Sequence, residues 1–268
     1  MNTLKNIYAN CQKYSLLMSQ LIARDFKVKY KRSVLGVVWS VLYPVLMMAV
    51  MALVFSHMFK FRMEGVNYLV YLLTGLVMFS YFSEASNNAM ASVVNNFALL
   101  NKVYIPKYIF PISKVLFCGI NFLLTLIPLA IIIFITGFGE TPCVVNFWYL
   151  LLPYVFLCML LFTAGLGLLL STISVFLRDM FYIYGIILTI WNYVTPIFYD
   201  ISIIPESLQP IFKLNPLYLY INGARTIILY GECPDPLSLL AMFLVGIITL
   251  IVGSLIFRKN QDKFVYYA

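Results

Sequence analysis

Val34–Phe55 reads VLGVVWSVLYPVLMMAVMALVF, 22 residues without a charge. As a helix rising 1.5 Å per residue it would be roughly 33 Å long, enough to cross a hydrocarbon core of about 30 Å. Five later stretches have the same character: about Tyr68–Ser83, Lys114–Phe138, Phe147–Phe176, Phe181–Tyr199 and Leu237–Phe257. Pro111 marks a turn before the third, Pro128 lies inside it, and Pro196 sits near the end of the fifth. The expected fold is all-α and membrane-embedded, with six transmembrane helices. No repeat or low-complexity linker divides the chain.

Composition points the same way. Of 268 residues, 63% are hydrophobic and 10% charged, where a soluble domain carries about 25% charged residues. So few charges cannot keep a surface in water, and lipid must be the solvent for much of it. The net charge of +8 would suggest nucleic acid in a soluble protein. Here no nucleic acid partner is expected, and the charges are read by position. Lys5, Lys13, Arg24, Lys27, Lys29, Lys31 and Arg32 precede the first span. Lys102, Lys107 and Lys114 fall between the second and third, Arg178 between the fourth and fifth, and Arg258, Lys259 and Lys263 after the sixth. Only Lys60, Arg62, Lys213 and Arg225 remain for the other side. The positive-inside rule then puts both termini in the cytoplasm, as six spans require. The first apolar run, Leu16–Ile22, is short and is followed by Arg24-Asp25, so no cleavable signal peptide is expected.

Two segments do not span. Residues 5–28 fit an amphipathic helix lying on the membrane surface. At 100° per residue Ile7, Tyr8, Cys11, Tyr14, Leu17, Met18, Leu21, Ile22 and Phe26 share one face, while Leu16 and Asp25 break the pattern. Asp200–Pro236 is rich in proline, yet Leu214–Tyr230 is strongly apolar. Short helices dipping back into the membrane fit it, and so does a surface loop with interfacial aromatics. The organisation expected is an interfacial helix and basic segment over 1–33, a transmembrane domain over 34–257 with an outer gate at about 200–230, and a cytoplasmic tail over 258–268.

The spans carry almost no ionisable groups; Glu84, Lys114 and Asp179 lie at helix ends, and His57 is the single histidine. Proton-coupled transporters place such groups near the midplane, so that class is disfavoured. There is no GxxxxGK[ST] phosphate loop, no nucleophile–base set, no paired carboxylates and no metal-binding spacing among the five cysteines. The chain is not expected to be an enzyme or to bind a cofactor. ATP-driven work would need a separate subunit. Cys143 and Cys233 fall in outer loops, where a pair could form.

Two groups of residues suit a transport path. The basic cluster Arg24, Lys27, Lys29, Tyr30, Lys31 and Arg32 meets the membrane just before the first span. It serves orientation and anionic-lipid binding, or steers a diphosphate headgroup to an entrance. Aromatics within the spans, Trp39, Tyr43, Tyr71, Phe79, Trp191 and Tyr193, suit either helix packing or a sliding surface for sugar rings.

The run Ala23-Arg24-Asp25-Phe26-Lys27-Val28-Lys29-Tyr30-Lys31-Arg32-Ser33-Val34-Leu35-Gly36-Val37-Val38-Trp39, followed by Tyr43-Pro44, closely resembles the opening motif of ABC-2 type exporter permeases. The branch it resembles handles polysaccharide, O-antigen and teichoic acid. Asn101-Lys102-Val103-Tyr104-Ile105-Pro106 with Pro111 is similar to that family's first cytoplasmic loop, and Phe176-Leu177-Arg178-Asp179 to its second. Thr195-Pro196-Ile197-Phe198-Tyr199, Ile204-Pro205, Leu214-Asn215-Pro216 and Arg225 resemble its outer gate. The resemblance covers essentially the whole chain. It implies a permease subunit in a bacterial plasma membrane, two copies of it, and two copies of a soluble ABC ATPase that bind ATP and Mg. It further implies coupling through Asn101, Lys102, Ile105, Pro106, Arg178 and Asp179, and a gate containing Pro196, Phe198, Tyr199, Pro205, Asn215, Pro216 and Arg225. The cargo implied is a lipid-linked glycan or teichoic-acid-like polymer, with small hydrophobic drugs or lipids as the alternative.

Overall fold

In a computed structural model of the chain, residues 2–31, 35–57, 67–100, 105–136 and 146–267 are described. They form helices and turns, and no strand occurs among them. Helix α1 covers Asn2–Tyr30. A 3-10 turn at Gly36–Val38 leads into α2, Trp39–His57. Then follow α3 (Tyr68–Ser92), the single turn α4 (Phe97–Leu100) and α5 (Ile109–Thr136). A 3-10 turn at Phe147–Leu151 opens α6 (Leu152–Phe176), and α7 is Met180–Val194. Two short helices, α8 (Gln209–Lys213) and α9 (Pro216–Arg225), precede α10 (Pro236–Asn260). A 3-10 segment, Gln261–Tyr267, is the last of the described residues.

Four helical stretches among the described residues are long and apolar enough to cross a membrane: Tyr68–Ser92, Ile109–Ile135, Phe147–Phe176 and Pro236–Phe264. Two shorter apolar stretches, Trp39–Met51 and Met180–Val194, accompany them. At 15 residues, α7 is about 22 Å long, shorter than the expected span to Tyr199. Its end has a local cause. Pro196 has no N–H to continue the ladder, and Thr195 leaves helical geometry while its Oγ1 donates to the Trp191 carbonyl at 2.8 Å.

Burial ranks the helices. Protein covers 67% of the apolar window of α3 and 61% of that of α6, but 39% for α5 and 17% for α10. Helices α3 and α6 are therefore the interior pair, and the outer helices present long apolar faces. Phe82 and Phe162 stack between α3 and α6 at 5.8 Å, and Ser174 Oγ donates to the Met90 carbonyl at 2.8 Å. Helix α10 lies against α6 at its small residues. A Cβ on Gly253 would fall on the Gly165 carbonyl, so the two backbones touch there, as small residues allow in membrane helix pairs.

Helix ends explain where the expected boundaries moved. Helix α3 runs on past Ser83 to Ser92 because Ala85, Ser86, Ala89 and Met90 are buried against neighbouring helices. Helix α5 starts at Ile109, before Lys114, because Pro111 falls in its first turn, where a missing N–H costs nothing. Asn67, Asn146 and Asn215 cap their helices through side-chain oxygens that accept from Val70, Trp148 and Leu217 N–H.

Helix α1 docks on the bundle. From Tyr14 onward its apolar face is covered by protein. Leu21 is buried with Ile109 and Phe110, joined by Tyr14, Leu17, Met18 and Ile105, and the Phe26 ring meets Phe117 at 4.8 Å. Asp25, the residue that broke the amphipathic pattern, is 8% exposed and pairs with Lys114 Nζ of α5 at 2.7 Å. The face reads as apolar because it docks onto α5, and its one carboxylate is matched there by a lysine. The C-terminal segment also belongs to the fold: Phe264 is buried with Val93, Leu168, Val175 and Phe257, and Lys107 Nζ donates to the Gln261 carbonyl at 2.6 Å.

Candidate functional site

The residues singled out in the sequence assemble at three places. The first is a groove where α1 ends beside α2, α3 and α5. Lys29, Tyr30, Trp39, Ser40 and Glu84 line a cleft of about 480 Å³. It adjoins a second of about 240 Å³, lined by Met47, Leu76, Ser80 and Tyr81 among others, and the two share Tyr43, Pro44, Glu84 and Thr125. Lys29 and Tyr30 are thus brought beside Trp39 and Tyr43, which are 40% and 61% exposed. The Tyr30 hydroxyl hydrogen-bonds Ser40 Oγ, fastening the end of α1 to the start of α2. Lys29 Nζ is 3.3 Å from Glu84 Oε1, both side chains being about half exposed, and lies 5.6 Å from the Phe117 ring centre. Glu84 borders both clefts and was read from the sequence only as a helix-end charge. Lys27 and Lys31 are exposed but do not line the groove. Arg24 turns away toward Asn96 Oδ1, at 3.4 Å, and Arg32 lies outside the described residues.

The second place is a buried knot at the opposite end of α3. Arg225 is 1% exposed. Its Nε and Nη2 donate to the Tyr71 carbonyl at 3.2 and 3.1 Å, Nη1 to the Pro196 carbonyl at 2.7 Å, and Nη2 also to the Ile197 carbonyl at 3.1 Å. The guanidinium lies 3.4 Å from the Tyr71 ring centre. Gly75 makes this possible, since a Cβ there would stand 2.6 Å from Nη2. Around it, the Tyr71 hydroxyl donates to the Tyr199 carbonyl at 2.9 Å and the Tyr68 hydroxyl to the Phe198 carbonyl at 2.8 Å. Trp191 Nε1 donates to Asn215 Oδ1 at 2.9 Å, and Asn215 Nδ2 to Thr195 Oγ1 at 2.8 Å. The chain after Pro196 cannot form a regular ladder, and side chains from α3 and α9 take up its carbonyls instead. Pro216 starts α9 directly after Asn215, while Pro205 is exposed and outside the knot.

The aromatic group therefore divides. Trp39 and Tyr43 border the groove. Tyr71 and Trp191 spend their polar tips on the knot, Phe79 is 6% exposed in the core, and Tyr193 is 67% exposed on α7. Tyr71 and Phe79 line no open surface, because helix packing and backbone carbonyls occupy them; Trp191 is partly exposed, with its indole N–H held by Asn215.

The third place is the end of the bundle that carries α1. Ile105 packs in the α1–α5 cluster, and the Pro106 carbonyl accepts from Ile109 N–H at 3.1 Å. Arg178 and Asp179 are exposed on the tight turn between α6 and α7. Phe176, two residues before Arg178, packs edge-on against Tyr267 at 4.9 Å. The turn and the C-terminal segment thus form one surface. Asn101 and Lys102 lie outside the described residues, as does Cys143; Cys233 is exposed. Burial lowers the pKa of Lys107 in this region, with the charge of Asp262 opposing.

The profile of the ABC-2 type transporter family matches residues 17–229, from within α1 to the end of the Arg225 segment. The chain is 32% identical to the O-antigen export system permease protein RfbA of Klebsiella pneumoniae over 251 residues, 92% of this chain and 93% of the relative. It is 30% identical to the protein of the same name from Myxococcus xanthus over 254 residues, 94% and 95% of the two chains. With the polysialic acid transport protein KpsM of Escherichia coli it shares 23% identity over 242 residues, 90% and 92% of the two chains.

Proposed function

This chain belongs to the ABC-2 type transporter family, and from that premise we propose that it is the permease subunit of an exporter that moves a lipid-linked polysaccharide out across the bacterial plasma membrane. The observation that carries the reading is end-to-end similarity, at 30–32% identity, to permeases named for O-antigen export. Helices α2 and α7 complete six crossings, with both termini in the cytoplasm; α8 and α9 dip back into the outer leaflet and form the gate. Two copies work with two copies of a soluble ATPase, which binds the ATP and Mg.

The residues divide the labour. Lys29, held at the mouth of the groove, meets the diphosphate of the carrier lipid, a task suited to a lysine with an exchangeable partner. The exposed faces of Trp39 and Tyr43 lead the first sugars inward by contact with apolar ring faces. Asn101, Lys102, Ile105, Pro106, Arg178 and Asp179 take the push of the ATPase. Ile105 supports this because its packing links that loop to α1, and α1 carries Lys29. The knot of Arg225, Tyr71 and Asn215 holds the outer gate in shape. ATP shifts the permease only if its two states bind nucleotide differently.

The test is co-purification and turnover. Expressed with the soluble ABC ATPases of its host, the chain should retain one of them and raise its hydrolysis when lipid-linked glycan is present. Absence of any retained ATPase would end the exporter reading. Stimulation by small hydrophobic drugs and not by glycolipid would transfer it to the drug class.

A further inference from the structure

The segment Gln261–Tyr267 lies outside the family match, which stops at residue 229. A 3-10 run longer than about 3–4 residues is uncommon, because its hydrogen bonds are poorly aligned. This run has seven residues, and side chains from elsewhere hold it at two points. Phe264 is 1% exposed. Its ring packs edge-on against Phe257 at 5.3 Å, in a cluster with Val93, Leu168 and Val175. The Gln261 carbonyl, at the end of α10, accepts from Lys107 Nζ at 2.6 Å. A helix end leaves its last carbonyls without intrahelical partners and gathers negative dipole charge there. A lysine brought in from another part of the chain is a fitting cap for it.

The partners of this segment come from the two loops proposed for coupling. Lys107 directly follows Ile105 and Pro106, and its own carbonyl accepts from Phe110 N–H at 3.3 Å, at the entry of α5. Its Nζ lies 5.7 Å from the centre of the Phe264 ring. Phe176 is the last residue of α6 and stands two before Arg178. Its ring meets Phe264 edge-on at 5.9 Å and Tyr267 edge-on at 4.9 Å. One ring, that of Phe264, therefore receives both the loop before α5 and the turn after α6. The segment also continues α10, whose Gly253 lies against the Gly165 carbonyl of α6. Backbones packed that closely pass a displacement on, because there is no free volume to absorb it.

We propose that Gln261–Tyr267 is a clasp that joins the loop before α5 and the turn between α6 and α7 into one body, so that the ATPase moves both together and α10 with them. Phe264 and Lys107 are its positioning residues. Two sites are coupled only where a change at one alters the free energy of the other, and the shared ring provides that link. What pushes the loops rests on the exporter reading. That the loops are joined rests on the contacts alone.

The experiment has two arms. The first measures hydrogen exchange of the full chain in vesicles of phosphatidylethanolamine and phosphatidylglycerol. It follows the hydrogen-bonded amides of Ile109 and Phe110 in the first loop, and of Leu177, Met180 and Phe181 around the second. Lys107→Ala alters the first loop, yet exchange around the second should rise about threefold or more. Phe264→Ala should loosen both together, and Phe264→Leu should restore most of the protection. Loosening confined to the loop that carries the substitution would make the two independent and overturn the proposal, whatever the cargo. The second arm co-purifies the chain with the soluble ABC ATPase of its host. Phe264→Ala should retain the ATPase yet lose about half or more of its stimulation by lipid-linked glycan, and Phe264→Leu should regain it. Stimulation equal to the parent's would deny the clasp a part in coupling. Loss of the ATPase on Tyr266→Ala, a side chain 85% exposed, would make the segment a docking surface instead and also overturn the proposal. A parent chain that retains no ATPase would sink the exporter reading, and the exchange arm would still decide whether the loops are joined.

Discussion

Arg225 and Lys29 are both cations beside a tyrosine, Tyr71 in one case and Tyr30 in the other. Arg225 is 1% exposed and meets three backbone carbonyls, with no carboxylate in contact among the described residues. Lys29 is exposed and meets a single exposed carboxylate, Glu84. The planar fork of arginine suits the first setting, since its donors reach several fixed acceptors at once. The hydrated ammonium of lysine suits the second, where the partner can be exchanged. An ion pair as open as Lys29–Glu84 adds little to stability. The difference separates a charge that builds the protein from a charge left available for a ligand.

That separation can be broken most directly at Arg225. Arg225→Met fills a similar volume but strips the Ile197 carbonyl of its donor, leaves the Pro196 carbonyl only the Tyr71 hydroxyl at 3.4 Å, and removes both guanidinium bonds to the Tyr71 carbonyl. Each orphaned acceptor costs about 1–3 kcal/mol, so a loss of about 3–5 kcal/mol overall is expected. In mild detergent, the temperature at which the protein loses its monodisperse elution peak should drop sharply. Arg225→Lys should recover only part of it, because one ammonium cannot span three carbonyls. A variant melting like the parent would show that the knot holds nothing. Asn215→Ala comes next. It removes the cap of α9 and strands Trp191 Nε1; a cap alone is worth about 1 kcal/mol, and about 2 kcal/mol in all is expected by the same assay.

Asp25→Asn sharpens the comparison, because Asp25 lies between the two extremes: 8% exposed, with Lys114 at 2.7 Å. The loss expected is about 1–2 kcal/mol, confined to α1. Hydrogen exchange should rise in residues 14–30 and stay unchanged around Arg225. Uniform loosening of the whole chain would show that α1 is integral to the core and not docked on it.

How much of this was legible in the sequence follows from the same physics. Hydropathy finds the long apolar helices, because a helix that meets lipid is dominated by apolar residues; α6 and α10 fall close to their expected limits. It misplaces ends where helix meets helix. Ser86 and Ala89 in α3 lie beyond the expected end at Ser83 and are buried contacts. The docking of α1 was half visible: the apolar stripe was plain, but a stripe does not say whether lipid or protein covers it. Asp25 was the available signal, since a carboxylate within an apolar face needs a cation, and Lys114 of α5 meets it alongside Arg24. For the aromatics, sequence gives ring faces but not where a hydroxyl or indole N–H ends up. Tyr71 and Tyr43 look alike in composition, and only the irregular chain after Pro196 decides that Tyr71 is a structural donor.

The smallest effect on stability is expected in the groove, where the functional effect should be largest. Lys29→Ala removes an exposed pair and should shift stability by no more than about 0.5 kcal/mol. If Lys29 receives the lipid diphosphate, stimulation of the partner ATPase by lipid-linked glycan should require more lipid in this variant. Glu84→Gln tests the same lysine from the other side. It removes the anion that competes for the ammonium, so half-maximal stimulation should come at lower lipid, and raising the salt should narrow the gap between the two variants. Opposite shifts in two variants of unchanged stability have no structural explanation, because loss of either partner breaks the same ion pair. Shifts in the same direction would make Lys29–Glu84 a mere fastening of α1 to α3, and the entrance would have to be sought elsewhere among Lys27, Lys31 and Arg32.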